Sequence, residues 1–143
     1  MQYHLRPVIP DDVDNGLLET LDSLSAGNSG WDSARAKQVI ANMQDTGIHT
    51  IVAVTNGTVI GAGSIFIEPK LIHKGGKVGH IEDIATRKGY ERAGIGSSIV
   101  HSLLGIAKSN GCYKVILSCS RDNIPFYRKL GFHEYEATMR RDI

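Results

Sequence analysis

The chain has 143 residues, 41% of them hydrophobic, which is enough for one domain with a substantial core. Sixteen basic and fifteen acidic residues leave a net charge of +1, and this balance disfavours general nucleic-acid binding. No window approaches the roughly twenty apolar residues that span a bilayer, and Met1 to Pro7 lack an apolar signal core. We expect a single cytoplasmic domain, residues 1–143, with neither nucleic acid nor membrane as a partner.

The first elements predicted are a short strand and a helix. Tyr3 to Val8 favours the strand, which prolines bring to an end. Asp11 or Asp12 is suited to cap a helix through Leu24, because a carboxylate accepts hydrogen bonds from the free amides of a first turn.

A second helix is predicted after the polar, glycine-bearing stretch 25–30. Asp32 or Ser33 is placed to cap its first turn, and Gly47 to end it. Apolar residues recur between these limits, so one face should pack on the core.

Two β-branched runs, Ile48 to Val54 and Val59 to Ile67, flank Asn56-Gly57. Asn-Gly between such runs is the strongest short hairpin signal, since both residues tolerate a positive φ. We therefore expect two antiparallel strands here. A further strand, Val78 to Ala85, follows a loop.

Residues Gly94 to Lys108 predict an amphipathic helix. Asn110-Gly111 ends it and Val115-Ile116-Leu117 begins an apolar strand, so strand, helix and strand form a parallel βαβ unit. Cys112 and Cys119 lie at either end of this strand without metal-ligand spacing, and we expect both to be reduced and buried.

The last elements predicted are a short helix and a final strand. Asp122 or Asn123 is suited to cap the helix, Gly131 follows its end, and Phe132 begins the strand. We find no internal repeat, low-complexity tract or linker.

The segment from Gly79 to Gly96 is the most informative for function. It predicts a strand, a basic glycine-containing loop and a helix N-terminus, where free amides and a partial positive charge suit a pyrophosphate. The third glycine of the dinucleotide fingerprint and a Gly-Lys-Ser/Thr sequence are both absent. A pyrophosphate-bearing cofactor is the first hypothesis, and a plain glycine turn is the alternative.

Followed by Asn123 to Phe132, with its Phe-Tyr and Gly-Phe pairs, this segment resembles the core of the GNAT acetyltransferase superfamily. Within that superfamily, Gly79 to Ala85, Lys70 to His73 and Gly111 to Lys114 closely resemble the glucosamine 6-phosphate N-acetyltransferases. The resemblance implies an α/β (α+β) GNAT fold, with a mixed, largely antiparallel sheet of six or seven strands and about four helices.

The resemblance further implies a cytoplasmic homodimer in amino-sugar metabolism. It would transfer the acetyl group of acetyl-CoA to the 2-amine of glucosamine 6-phosphate, without a covalent enzyme intermediate or a metal, for UDP-N-acetylglucosamine synthesis. Two alternatives are an acetyltransferase for another small primary amine and a non-catalytic acyl-CoA-binding module. Composition and spacing do not identify the sugar.

The same resemblance implies which residues bind acetyl-CoA. The Ile84 N–H would polarise the thioester oxygen as charge develops there, and neighbouring main-chain groups would hold the pantetheine arm. The expected cofactor-binding residues are Ile84, Ala85, Thr86, Arg92, Ala93, Gly94, Ile95, Gly96, Ser97, Asn123, Tyr127 and Arg128.

Tyr127 is the candidate that holds or protonates the leaving sulfur. A thiolate is a fair leaving group near neutral pH, so a phenol needs only to donate a hydrogen bond late in the reaction. The alternative is a core tyrosine with a satisfied hydroxyl.

Glu82 and Asp83 are consecutive acids in an apolar strand, where burial is costly unless they serve a partner. In a regular strand they would face opposite sides of the sheet. A β-bulge would let both line one pocket and would expose the Ile84 N–H, so we predict a bulge here. Glu82 and Asp83 would bind sugar hydroxyls and the ammonium and help to remove its proton through water, and with Ile84 and Tyr127 they are the expected catalytic residues. The alternative is two edge charges in water.

The family pattern also places residues around the sugar and its phosphate. Lys70 and His73, aided by Tyr113 and Lys114, would meet the phosphate, which needs more than one donor. The alternative is ordinary loop and strand-end charge. The expected substrate-binding residues are Lys70, Leu71, Ile72, His73, Glu82, Asp83, Tyr113, Lys114, Ser118 and Arg141.

Three positions depart from the family pattern. Glu91 stands where the cofactor loop usually has Gln or Arg, so it either points to solvent or weakens acetyl-CoA binding. Ser118 replaces an acid that contacts the incoming amine, and its hydroxyl supplies no full negative charge. The phosphate-binding arginine is out of register, and Arg141 is the substitute we infer.

Overall fold

The structure is a computed structural model that describes all residues from Met1 to Ile143, and its strands form one mixed sheet. The strands lie in the sheet in chain order: β1 (His4–Pro7), β2 (Ile48–Thr55), β3 (Thr58–Pro69), β4 (Lys77–Thr86) and β5 (Cys112–Leu117). All neighbours are antiparallel except β4 and β5, which are parallel as the βαβ unit predicts.

Five helices accompany the sheet, one more than expected. They are α1 (Leu17–Leu21), α2 (Ser33–Asp45), α3 (Ile72–Gly75), α4 (Ile95–Ser109) and α5 (Ile124–Lys129), with 3-10 turns at Pro10–Asp14 and Arg121–Asn123. The additional element, α3, is a single turn within the loop between β3 and β4, and it is left-handed, since His73 and Lys74 have φ angles of 50° and 55°. No helix has both the length and the hydropathy needed to cross a bilayer.

The expected sheet of six or seven strands is wrong, because the strand predicted from Phe132 onward does not form. A strand exists only where its backbone groups find a neighbour. β5 pairs with β4 along one edge, and the residues from His133 onward lie exposed without joining the other edge.

The first predicted helix is also different. Asp12 is not its N-cap: the residue is 1% exposed and lies within the 3-10 turn, where its carboxylate accepts two hydrogen bonds from Arg6, at 2.7 and 2.8 Å, and one from the Ile9 amide. Gly16, with φ at 99°, then separates the 3-10 turn from α1. Leu24, expected on the apolar face, lies beyond the helix and is exposed.

The second helix and the hairpin are confirmed. Asp32 caps α2, its carboxylate accepting a hydrogen bond from the Arg35 amide at 3.0 Å. Asn56 and Gly57 have φ angles of 47° and 75°, as a tight two-residue hairpin turn requires.

Apolar residues pack on both faces of the sheet and so form two cores. On one face, α1 and α2 bury Leu17, Leu18, Ala36 and Ile40 against Val52, Val54 and Ala62. On the other face, α4 buries Ile95, Ile99, Leu103 and Ala107 against Ile51, Ala53, Ile65 and Ile81. The cysteines do not pair, and Cys119 is exposed rather than buried because β5 ends before it.

Candidate active site

A groove opens where β4 and β5 separate. Their pairing ends at Ile81 and Leu117, whereas β4 continues to Thr86 without β5 beside it. The backbone of the last residues of β4 therefore has a strand neighbour on the β3 side only. The acetyl group of the cofactor is predicted to lie here, at the Ile84 amide.

The bulge predicted near Glu82 and Asp83 is confirmed. The β3–β4 register passes from Ala62 opposite Ala85 to Ser64 opposite Glu82, so Gly63 alone faces both Asp83 and Ile84. Asp83 has a φ of 55°, a left-handed conformation that aspartate tolerates better than most residues.

The bulge places both acids on the sheet face away from α4. Ile81 packs under α4, so its neighbour Glu82 faces the opposite side, where Ser64 bonds Thr50 at 2.6 Å. Asp83 lines a cavity on that same side. Both carboxylates are exposed, as groups that meet a ligand must be.

The cavity beside Asp83 lies between α1, α2 and the sheet and has a volume of about 150 Å³. Most of its lining is apolar, and Ser64 and Gln44 are among the few polar side chains there. Trp31 is at the cavity and remains partly exposed. An apolar group next to the bulge would find space here.

The first turn of α4 presents free amides to the groove. Its hydrogen-bond ladder begins with the Ser98 amide donating to the Gly94 carbonyl at 3.0 Å, so the amides of Ile95, Gly96 and Ser97 precede it. A Cβ placed on Gly94 would meet no atom within 4 Å, which leaves open space for a ligand. These residues fit the pyrophosphate that the sequence predicts.

Glu91 is exposed, yet its side chain folds back on its own loop, residues 87–93, which we call the cofactor loop. Its carboxylate accepts a hydrogen bond from the Gly89 amide at 2.7 Å, inside the cofactor loop. Arg92 follows with a φ of 65°. The loop therefore holds its own carboxylate next to the amides predicted to meet a pyrophosphate.

Tyr127 is half-buried on α5, between Phe126 and Phe132 with ring centroids at 4.9 and 5.9 Å. Burial raises the pKa of its phenol, and the nearby Cys119 raises it further. The hydroxyl forms no hydrogen bond within the chain, so it is free to donate to a ligand, unlike a satisfied core tyrosine. α5 also packs on the first turn of α4, because a Cβ on Gly96 would lie 3.3 Å from Phe126 Cζ.

The structure brings together three of the predicted phosphate residues. His73 stacks on Tyr113 with ring centroids 4.2 Å apart, and Lys114 Nζ lies 5.8 Å from the same ring. Lys70 differs, since its Nζ pairs with Glu68 at 3.3 Å. Its amide donates to the Gly76 carbonyl at 2.8 Å and closes the loop.

The remaining predicted residues are less well placed. Leu71 and Ile72 project into solvent. Ser118 bonds Thr138 at 2.7 Å, and Arg141 is exposed and makes no ion pair. Of the outer cofactor residues, Asn123 is exposed at the start of α5, and Arg128 pairs with Glu134 at 2.9 Å.

Sequence reasoning missed an acid–imidazole pair on the sheet face that carries Glu82 and Asp83, which we call the acceptor face. His80 Nε2 lies 2.9 Å from Glu68 Oε1, and His80 is on the same face of β4 as Glu82. The available signal was the two-residue spacing from His80 to Glu82 on a strand already predicted.

Comparison with known proteins agrees with this geometry. The sequence profile of the acetyltransferase (GNAT) family matches residues 18–132. The glucosamine 6-phosphate N-acetyltransferase of Candida albicans is 37% identical over 134 residues, 92% of this chain and 90% of that protein.

Two further similarities extend the comparison. The glucosamine 6-phosphate N-acetyltransferase of Trypanosoma brucei brucei is 45% identical over 87 residues, 61% of this chain; the match spans 59% of that relative's length. The crystal structure of the Arabidopsis thaliana glucosamine-6-phosphate N-acetyltransferase superposes with a TM-score of 0.94 at 27% identity, covering 99% of each chain.

Proposed function

The chain belongs to the acetyltransferase (GNAT) family, and on that premise we propose that it transfers the acetyl group of acetyl-CoA to the 2-amine of glucosamine 6-phosphate. The product would be N-acetylglucosamine 6-phosphate, for UDP-N-acetylglucosamine synthesis. The relatives named above support this acceptor.

The observation behind the proposal is the joint position of the bulge and the α4 N-terminus. Gly63 faces both Asp83 and Ile84, and β4 leads directly through the cofactor loop into the free amides of α4. The amides of α4 would bind the pyrophosphate, and the Ile84 N–H would stabilise charge on the thioester oxygen.

Three side chains would complete the chemistry. Glu82 and Asp83 would hold the ammonium and pass its proton to water, so that the neutral amine attacks the thioester carbon. Tyr127 would donate to the sulfur as the carbon–sulfur bond breaks. No covalent bond to the protein is needed.

The charges around the groove suit a phosphorylated amine. Acids at the bulge would take the ammonium, whereas His73 and Lys114, at Tyr113, would take the phosphate. Lys114 is paired with Val78, four residues before Glu82 on β4, so the cations and the acids are separated along that strand. An acceptor with an amine at one end and a phosphate at the other fits that arrangement.

A thiol-release assay tests the proposal. Purified protein and acetyl-CoA are mixed with glucosamine 6-phosphate, glucosamine or a polyamine, and release of coenzyme A is followed. We expect kcat/KM for the phosphorylated sugar to exceed that for glucosamine by at least about a hundredfold, since two charge-assisted contacts are lost without the phosphate. Equal rates on the two sugars would overturn the assigned phosphate contacts.

A second candidate is acetyl transfer to an apolar primary amine. The cavity beside Asp83 is lined mostly by apolar side chains, and Ser118 stands where the family pattern has an acid. Adding an arylalkylamine to the assay distinguishes the two functions. A kcat/KM for that amine above the value for glucosamine 6-phosphate would favour the second candidate.

A homodimer in the cytoplasm is part of the same proposal. The outer edge of β5 is unpaired, and Tyr135, Met139 and Ile143 are exposed apolar residues in the segment beyond α5. Burial of such residues favours association. The unpaired cysteines suit a reducing compartment. Light scattering after size exclusion and cell fractionation test the two parts.

A further inference from the structure

His80 and Glu68 form the acid–imidazole pair on the acceptor face. His80 lies on β4 opposite Phe66 of β3, and the two rings are 5.9 Å apart. Glu68 lies further along β3, and its carboxylate meets both His80 and Lys70. Neither member of the pair takes part in the chemistry assigned to the bulge.

The hydrogen bond fixes which nitrogen of the ring carries the proton. Hydrogen bonding from His80 and the charge of Lys70 lower the pKa of the Glu68 carboxyl, so at neutral pH it is ionised and can only accept. His80 Nε2 must therefore donate, and in the neutral ring Nδ1 holds a lone pair. The bond to Glu68 is the one hydrogen bond that the ring makes within the chain.

The position of His80 makes that lone pair useful. His80 is two residues before Glu82 on the same strand face, about 7 Å along the strand. In the other direction along β4, Val78 is paired with Lys114, which lies with His73 and Tyr113 among the residues predicted to bind the phosphate. His80 thus lies between the groups for the ammonium and those for the phosphate, and its side chain is 28% exposed.

We propose that His80 is a further acceptor-binding residue, whose Nδ1 accepts a hydrogen bond from a ring hydroxyl of the sugar, and that Glu68 is the positioning residue that fixes its tautomer. This rests on the proposed function. It assigns to His80 the recognition of the carbon-3 or carbon-4 hydroxyl, which lies between the amine and the phosphate of glucosamine 6-phosphate. The substrate class is therefore a hydroxylated amino-sugar phosphate and not any amine with a phosphate.

The first test replaces His80 by glutamine, whose amide can still donate to Glu68 but offers no acceptor at the Nδ1 position. We expect KM for glucosamine 6-phosphate to rise about five- to tenfold, the cost of one neutral hydrogen bond, with KM for acetyl-CoA unchanged. His49→Gln is the matched control, because His49 is also a strand histidine but is exposed on β2, away from the acceptor face. It should leave both KM values unchanged.

The second test uses 3-deoxy and 4-deoxy analogues of glucosamine 6-phosphate. In the wild-type enzyme, kcat/KM should be about five- to tenfold lower on one analogue than on glucosamine 6-phosphate. In His80→Gln, kcat/KM should be the same on that analogue as on glucosamine 6-phosphate, because the contact with the hydroxyl is already absent. In Glu68→Gln, the amide can donate to Nε2 and so permit the other tautomer. That variant should also discriminate less between the sugar and its analogue, an effect that a merely structural role of Glu68 would not produce.

The outcomes separate this inference from the function on which it rests. If the wild-type enzyme does not acetylate glucosamine 6-phosphate, both are overturned. If it does, and His80→Gln keeps the wild-type KM or the wild-type loss on the analogue, only the role of His80 is overturned. Should His80→Gln fail to fold, the test depends on how strongly Glu68→Gln prefers glucosamine 6-phosphate over the deoxy analogue. If that variant keeps the full wild-type preference, the role of His80 is overturned.

Discussion

Gly63 packs directly against Ile84, and a Cβ added to Gly63 would come within 2.6 Å of Ile84 Cδ1. It would lie equally close to Ile99 Cγ2, on the buried face of α4. The absence of a side chain on β3 therefore allows the bulge of β4 and the helix after it to approach the same point. We expect this contact to help hold Ile84, whose amide we propose as the catalytic donor.

Gly63→Ala should reduce activity by about tenfold or more, because the new methyl group displaces Ile84 Cδ1 and Ile99 Cγ2. If the backbone of Ile84 follows, a misplacement of its amide near 1 Å can cost two orders of magnitude. Overpacking should also lower the free energy of unfolding by about 1 to 3 kcal/mol. Steady-state kinetics and urea unfolding measure the two effects. Gly105→Ala is the control: Gly105 is exposed on α4 with nothing within 4 Å, and alanine should stabilise the helix. An unchanged kcat in Gly63→Ala would show that Ile84 need not be fixed.

Tyr127→Phe should lower kcat by about ten- to a hundredfold while KM for acetyl-CoA changes little, since the hydroxyl would act on the departing sulfur. Stopped assays with acetyl-CoA varied at saturating acceptor separate the two constants. A variant with wild-type kcat would leave Tyr127 as a packing residue only.

The pH dependence of the wild type provides a separate check on Tyr127. Its pKa is raised by burial, so the phenol stays protonated through neutral pH and its proton remains available. Any fall in rate or stability that belongs to this group should begin only above the ordinary tyrosine value of about 10. An alkaline limb near pH 8 that disappears in Tyr127→Phe would contradict this assignment.

Glu91→Gln should tighten acetyl-CoA binding by about two- to fivefold, because an exposed carboxylate in the cofactor loop repels a pyrophosphate only weakly through solvent. The amide can still accept from Gly89, so the loop should keep its shape. Calorimetric titration at low and high salt tests this, and the gain should shrink as salt screens the charge. Equal affinity at low salt would mean that Glu91 does not face the ligand.

Asp12→Ala should lower the free energy of unfolding by about 2 kcal/mol. It removes a buried acceptor from Arg6 and from the Ile9 amide, although Arg6 remains partly hydrated. Activity per folded molecule should not change. Asp14→Ala, which breaks an exposed pair with Lys37, should leave the unfolding midpoint unchanged. Equal midpoints for Asp12→Ala and wild type would contradict the structural role of the Arg6 pair.

Sequence signals that act locally predicted structure well. Asn56-Gly57 predicted the hairpin because the turn is decided by the φ angles of two adjacent residues. The bulge was predictable for a similar reason: consecutive acids such as Glu82 and Asp83 cannot share one face of a regular strand.

Features that depend on distant partners were not predictable. The sequence around Asp12 favours a helix cap, yet the Asp12 carboxylate forms an ion pair with Arg6 of β1. Phe132 onward has a strand-like pattern, but pattern alone does not supply a neighbouring edge. His80 was overlooked because its function depends on Glu68, twelve residues earlier on another strand.

The two glycines of β3, Gly61 and Gly63, set the distance between the bulge of β4 and the start of α4. Gly63 contacts Ile84 at the bulge and Gly61 contacts Ile95 at the start of α4, so the proposed site of bond breakage and the proposed pyrophosphate site both pack on one strand. Their separation is fixed by covalent geometry and close packing, and hardly by flexible side chains. We therefore expect a donor whose pantetheine arm is a few bonds shorter or longer to bind at one end only, so that the protein would select coenzyme A thioesters by length.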